Sequence, residues 1–386
     1  MEKIKVMSVF GTRPEAIKMC PLVKELESRA EIESIVCVTA QHREMLDQVL
    51  QAFHIRPQYD LNIMSKSQTL MHITVKALEG LAEVLEKEKP DIVLVHGDTS
   101  TTFVAALAAF YAKTKVGHVE AGLRTYDKFS PFPEEMNRTL TTDLADLHFA
   151  PTVSNVRNLH REGIEKSIYI TGNTVIDALS TTVKKEYAFE CSHLNTIDFS
   201  KERVVLLTAH RRENYGEAFE NIMAAVRQIA KEEPDIRFIY PVHLSPYVQQ
   251  MAKSHLGEIE NVDLIEPLGV MDMHNLMERA YLVMTDSGGI QEEAPSLGKP
   301  VLVLRHETER PEAVAAGTVR MAGTCAQEIA EKALLLLRDP EEYAKMAQAV
   351  NPYGDGHACR RIVDAILYEF GRRAEAPEAF LPIEGQ

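Results

Sequence analysis

Short apolar, β-branched runs alternate along this chain with longer stretches in which apolar residues recur every three or four positions. IKVMSVF (4–10), SIVCVTA (34–40), DIVLVHG (91–97), KVGHVEA (115–121), DLHFAPT (146–152) and SIYITG (167–172) read as buried strands. PEAIKMCPLVKELES and STTFVAALAAFYAKT, lying between them, read as helices with one apolar face. The rhythm restarts with VVLLTAH (204–210), RFIYPVH (237–243), VDLIEP (262–267), YLVMTDS (281–287) and PVLVLR (300–305). This alternation predicts the α/β class, as two Rossmann-like, doubly wound parallel domains. The polar, unpatterned stretch over 180–202 joins them, and the expected domains are 1–175 and 176–357. The polar tail after Arg373 is expected to fray.

Composition narrows the class further. At 386 residues the chain exceeds the roughly 250–300 at which one core stops growing, in keeping with two domains. With 45% hydrophobic and 26% charged residues it is an ordinary soluble globular protein and not a disordered one. Against 57 acidic residues stand 42 basic ones, a net charge of −15, which argues against a nucleic-acid partner. A small anionic ligand held by a few local Arg residues stays open. The five cysteines are odd in number and contain no CxxC pair, which fits a reducing compartment rather than a disulfide framework or zinc site. Without a signal-peptide core or eighteen consecutive apolar residues, a cytoplasmic protein with no membrane segment is expected.

Ligands of open α/β sheets bind at the carboxyl ends of the strands, and residues of unusual chemistry gather at those ends here. The first strand runs into Gly11-Thr12-Arg13-Pro14: Gly11 allows a tight turn, Pro14 fits a helix's first turn, and Arg13 stands beside a helix N-terminus suited to phosphate. No GxGxxG fingerprint occurs there, which argues against tightly bound NAD. Further on, Asp98 follows DIVLVHG and is either a helix cap or a functional carboxylate. Glu120 interrupts an apolar run, where an unpaired carboxylate is costly; an ion pair with Arg124 is its structural alternative. Pro131 and Pro133 lead into Glu134 and Glu135 at a helix start, where negative charge is favoured. Asp98, Glu120 and Glu134 together supply the carboxylates that acid–base chemistry on a sugar requires.

In the second half, His210 stands at a strand end beside Arg211 and Arg212, a group able to orient a pyrophosphate or shuttle a proton. His243 closes the next strand in the same way. Ser287, Gly288 and Gly289 open a helix after a strand and predict an anion cradle of backbone N–H groups. Glu293, a turn later, is suited to a ribose diol, and Arg310 is available to the same pocket.

GTRPEAIK, HGDTSTT, HVEAGLRT, PFPEEMNR, TAHRREN, TDSGGIQEEAP and ETERPEA, in this order across about residues 4–370, resemble the non-hydrolysing UDP-N-acetylglucosamine 2-epimerases of bacteria. The resemblance implies two Rossmann-like domains of the glycosyltransferase-B type facing across a cleft, with a helix near 358–372 packing back on the first. It implies neither cofactor nor metal, and a homodimer. Catalysis would fall to Asp98, Glu120, Glu134 and His210, with Arg13 and Lys18 on the diphosphate side. UDP would lie against Leu268, Met273, Ser287, Gly288, Gly289, Glu293 and Arg310. A second UDP-GlcNAc, the activator of some relatives, would sit near Gln41, His42, Gln68, Glu134, Arg211 and His243. Two positions depart from the pattern: Ser67 stands where activator-dependent members carry Arg, and Leu268 where some carry Gln.

The implied activity is reversible epimerisation at C2 of UDP-GlcNAc to UDP-ManNAc. Its implied course is elimination of UDP to a 2-acetamidoglucal followed by re-addition, supplying ManNAc for cell-surface polysaccharide. A UDP-sugar glycosyltransferase and a UDP-sugar sensor are the rival readings of the same motifs.

Overall fold

The computed structural model describes residues 2–40, 43–65, 69–308 and 310–382. They form two compact units, Met1–Thr181 with Tyr353–Leu381, and a second built on Thr182–Pro352.

The first unit runs β1 (Ile4–Phe10), α1 (Arg13–Glu27), β2 (Ile32–Val38), α2 (Arg43–Ala52), β3 (Tyr59–Asp60), α3 (Leu70–Glu88), β4 (Ile92–His96) and α4 (Ser100–Tyr111). It continues with β5 (Lys115–Val119), α5 (Glu134–Leu144), β6 (Leu147–Ala150), α6 (Val153–Arg161), β7 (Ile168–Ile170) and α7 (Thr174–Thr182). Among the described residues its seven strands lie in the order β3-β2-β1-β4-β5-β6-β7. The register is parallel throughout, with Val9 opposite Cys37 and Val6 opposite Ile92. β1 and β4 are buried on both faces, which is why they read as unbroken apolar runs rather than alternating ones.

The second unit contains β8 (Arg203–Thr208), α8 (Glu217–Glu232), β9 (Ile236–Pro241), α9 (Pro246–Leu256), β10 (Val262–Ile265), α10 (Val270–Arg279) and β11 (Leu282–Thr285). There follow α11 (Ile290–Ser296), β12 (Val301–Val303), α12 (Pro311–Ala315), β13 (Val319–Met321), α13 (Ala326–Arg338) and α14 (Pro340–Ala347). Its parallel order is β10-β9-β8-β11-β12-β13. Phe219, Phe238 and Tyr240 are fully buried in its core, each worth roughly 1.5–3 kcal/mol of transfer free energy. The last helix, α15 (Ala358–Glu369), belongs to the first unit and packs on α1.

Both sheets have a switch point where the strand order reverses, between β1 and β4 and between β8 and β11. Two doubly wound α/β domains are what the sequence pattern leads one to expect. The junctions fall after Thr181 and Pro352 rather than at 175 and 357. The physical reasons are local: α7 runs unbroken to Thr182, and Asn173 N donates to Tyr353 O at 2.6 Å, tying Tyr353 to the first unit.

The tail after Arg373 does not fray over its described length. Phe380 is 5% exposed and its N–H donates to Ile170 O at 2.8 Å. The Arg361 guanidinium lies 5.6 Å from its ring. One buried aromatic and a strand-like hydrogen bond anchor an otherwise polar segment. No described helix is long and apolar enough to cross a membrane.

Candidate active site

In the first unit the site builds outward from the β1/β4 switch point. Gly11 is required there, since a Cβ would fall 1.9 Å from Thr39 Oγ1. Thr12 caps α1 in a capping box with Glu15, whose carboxylate accepts from Gly11 N at 3.0 Å and Thr12 N at 2.7 Å. Arg13, half-buried, opens the helix.

Asp98 follows β4, but the cap of α4 is Thr99, whose Oγ1 accepts from Thr102 N at 3.1 Å. Capping therefore does not account for Asp98. Its carboxylate instead meets Arg138 Nη2 of α5 at 2.9 Å. Burial pushes the Asp98 carboxyl up to about 6, against the pull of Arg138; the charges of Glu120 and Glu134 push the same way as burial.

Glu120 follows β5 in the left-handed region, φ 64°, a conformation seldom adopted outside glycine and asparagine. Its side chain pairs with Lys18 of α1 and accepts from Asn173 Nδ2 at 2.8 Å. The pairing with Arg124 allowed by the sequence does not form. Arg124 goes to Glu162 through a fork of 2.7 and 2.6 Å. Glu134 is half-buried as the first residue of α5. Its neighbour Glu135 is buried and accepts from Thr125 N at 3.1 Å and Tyr126 N at 2.8 Å, a structural task. Asp98, Glu120, Glu134 and Lys18 thus share one electrostatic neighbourhood, two carboxylates paired with cations.

In the second unit the candidate residues gather at β8/β11. Asp286, fully buried at the end of β11, accepts from His210 N and Arg211 N, both at 2.8 Å, and from Asn214 Nδ2 at 3.2 Å. Its other oxygen lies 3.5 Å from His210 Nδ1. The His210 ring stacks on His243, centroids 5.2 Å apart, and His243 Nδ1 accepts from Ser245 N at 3.0 Å. His210, Arg211 and His243 are therefore neighbours.

The expected amide cradle is narrower than the sequence suggests. Ser287 N donates to Thr285 Oγ1 at 2.9 Å, leaving Gly288 and Gly289 to open the short helix α11. Glu293 lies 3.3 Å from His274 Nε2, and Arg310 pairs with the buried Glu292. Leu268 is buried just before α10 and Met273 is half-buried on it. Gln41, His42 and Gln68, with Ser67, lie outside the described residues.

Sequence reasoning passed over Arg138, Asp286, Glu292 and His274, the partners of Asp98, His210, Arg310 and Glu293. Three of the four stand within motifs singled out above. Their signal is a charged residue recurring beside another, but the pairings join positions far apart in sequence.

The protein is thus a pair of doubly wound α/β units, with paired carboxylates at strand ends of the first and a His/Arg cluster at a strand end of the second. The family model described as UDP-N-acetylglucosamine 2-epimerase matches residues 24–367. The UDP-N-acetylglucosamine 2-epimerase of Bacillus subtilis is 58% identical over 381 residues, 98% of this chain and 99% of its own. A solved S. aureus structure containing UDP superposes with a TM-score of 0.87 at 52% identity, covering 98% of this chain and all of that one. The UDP-GlcNAc 2-epimerase of Neisseria meningitidis, solved with UDP-GlcNAc, gives 0.86 at 51% identity over 95% of this chain and all of its own. The chain belongs to the UDP-N-acetylglucosamine 2-epimerase family and is an isomerase of its non-hydrolysing type.

Proposed function

We propose that this protein interconverts UDP-N-acetylglucosamine and UDP-N-acetylmannosamine by elimination and re-addition of UDP, its product serving cell-surface polysaccharide synthesis. The observation that carries the reading is the group of Asp98 and Glu120 at the β4 and β5 strand ends and Glu134 at the start of α5, with Lys18 and Arg138 among them. The C2 proton is too weakly acidic to be removed alone at neutral pH. Asp98 takes it while the C1–O bond to UDP breaks, and the C–H electron pair forms the C1–C2 double bond. A carboxyl near 6 is ionised at neutral pH yet basic enough to be useful, which suits a general base. Re-addition then delivers a proton to the opposite face of C2, from Glu120 or Glu134, while a UDP oxygen attacks C1. Each unit offers groups suited to the departing UDP charge: Arg13 in the first, and His210, Arg310 and the Gly288 and Gly289 amides in the second. Arg211 and His243 serve a second UDP-GlcNAc as activator.

The test is epimerisation in D₂O followed by NMR. Both UDP-sugars at equilibrium are expected to carry deuterium at C2, with traces of free UDP and 2-acetamidoglucal on long incubation. Epimerised product that keeps protium at C2 would overturn the elimination route. A glycosyltransferase, which works at C1, would leave C2–H untouched, and a sensor would form no product.

A further inference from the structure

His96, the last residue of β4, is 3% exposed, and among the described residues its Nε2 has no hydrogen-bond partner. Buried polar atoms are nearly always satisfied, so such a nitrogen needs an explanation. It faces Glu120, with Oε2 3.7 Å away. Four features fix that approach. Glu120 is locked by its left-handed backbone. Its other oxygen, Oε1, accepts from Lys18 Nζ and Asn173 Nδ2. Gly97 leaves room for Oε2, since a Cβ there would lie 3.3 Å from it. His118 Nε2 pairs with Gly97 O at 2.8 Å and steadies the peptide next to His96.

We infer that His96 is a positioning residue for Glu120: its Nε2 accepts the carboxyl proton, so that Oε2 holds the proton between turnovers while Oε1 stays against Lys18 and Asn173. The inference rests on Glu120 acting as the acid of the epimerisation. A neutral imidazole has one acceptor nitrogen, and burial keeps this ring uncharged by pushing it down to about 4. A shift of about 1 Å brings the two atoms to hydrogen-bond distance. Delivery needs only rotation of the O–H about its C–O bond. The O–H bond then breaks as the proton passes to C2 and Glu120 is left as a carboxylate; it regains a proton from solvent as Asp98 releases to solvent the proton it took from C2, so that none is gained or lost over a turnover. Among the described residues, Lys18 on α1, Asp98 beyond β4 and His118 on β5 act on the pair, and Glu134 and Arg138 on α5 act on Asp98.

A hydrogen bond to the neutral form raises a carboxyl pKa. The experiment is the pH dependence of kcat/KM for His96→Phe and His96→Gln beside the parent, with UDP affinity measured by calorimetry as the control for folding. His96→Phe removes the acceptor at similar volume. Its alkaline limb is expected to move down by about one pH unit, with about tenfold lower kcat/KM on that limb. His96→Gln keeps an acceptor oxygen and should hold the limb near the parent's. UDP affinity should be unchanged in both. If both variants bind UDP normally and keep the parent's limb, with only thermal stability reduced, His96 is structural and the inference falls. Glu120→Gln separates the two levels: near-parental turnover in that variant would remove the acid role itself and the inference with it. An inactive Glu120→Gln beside an unmoved His96→Phe profile would remove the inference alone.

Discussion

The two units put carboxylates at the same topological point and use them differently. At the ends of β4 and β5, Asp98 and Glu120 are compensated by the side-chain cations Arg138 and Lys18. At β8/β11, Asp286 is fully buried, and its Oδ2 is filled by two backbone N–H groups and an amide. The first arrangement leaves an ionisable group able to exchange a proton, since a side-chain partner can move. The second fixes the backbone, because a carboxylate holding main-chain donors cannot release them without loosening the strand end. In the proposed reaction acid–base work falls to the first unit, and the second offers a held loop of His210 and Arg211. Glu15 shows that burial alone does not make the difference. It is 2% exposed in the first unit, yet it serves the loop of Gly11 and Thr12 as Asp286 serves its own.

The largest expected effect breaks the chemistry in the first unit while sparing the second. Asp98→Asn, Glu120→Gln and Glu134→Gln should each lower turnover by on the order of 10²-fold or more, the usual contribution of a positioned acid or base. UDP binding by calorimetry should change little. A variant that retained near-parental turnover would move that residue from the chemistry to a structural role.

A smaller effect is expected where the carboxylates are structural, and it should differ between the units. Asp286→Ala leaves two backbone donors and one N–H of the Asn214 amide without an acceptor, the other still reaching Leu304 O at 3.1 Å, at about 1–3 kcal/mol for each buried donor left unmade. Urea unfolding should show a loss of at least about 2 kcal/mol, and UDP affinity should fall as the His210 loop loosens. Glu15→Gln should cost less than about 1 kcal/mol. One amide oxygen still accepts from Gly11 N and Thr12 N, and the hydroxyls of Thr99 and Thr102, at 2.7 and 3.2 Å, can turn to accept from the new NH₂. Equal costs in the two variants would mean that the loops are held by something other than these carboxylates.

The same contrast explains what the chain discloses before folding. Long apolar strands and the turns after them are legible because two-sided burial and Gly or Pro punctuation leave strong local signals. β3 and β13 are not, being two and three residues long at the sheet edges. Within the site, residue identity was legible and partnership was not. Asp98 and Arg138 are forty positions apart, and Lys18 and Glu120 more than a hundred. Adjacent Glu134 and Glu135 look alike in sequence, and only the rotation of α5 sends one into the backbone of residues 125–126. Arg124 had a plausible partner four residues away and found a better one in Glu162. Local spacing proposes pairings; the fold chooses among many candidates of the same charge.

The smallest expected effect sharpens the comparison through pH. Burial is the first cause that holds His96 and His148 down at about 4 and His118 at about 3, with Arg124 adding to the last two and Glu120 partly opposing for His96. A histidine whose folded pKa lies below its unfolded value of 6.5 contributes stability that is intact above 6.5 and is lost as pH falls toward the folded value. Asp98 acts in the opposite sense: its folded pKa near 6 exceeds the ordinary 3.8, so the native state gains on the unfolded one as pH falls from 6 to 4. Glu15 and Asp177, also raised by burial, act with Asp98; the three histidines, which titrate near 6.5 when unfolded but only at about 4 or below when folded, dominate between pH 7 and 5, and the first unit should lose stability there. The second unit's buried His274 is differently placed, with Thr182 Oγ1 at 2.7 Å from one nitrogen and Glu293 at 3.3 Å from the other. Hydrogen exchange by mass spectrometry, corrected for intrinsic rates, should show peptides of β4, β5 and β6 losing protection between pH 7 and 5. Those of β8 and β9 should lose less. Uniform loss across both units, or greater loss in the second, would show that the three histidines do not set the acid sensitivity of the fold.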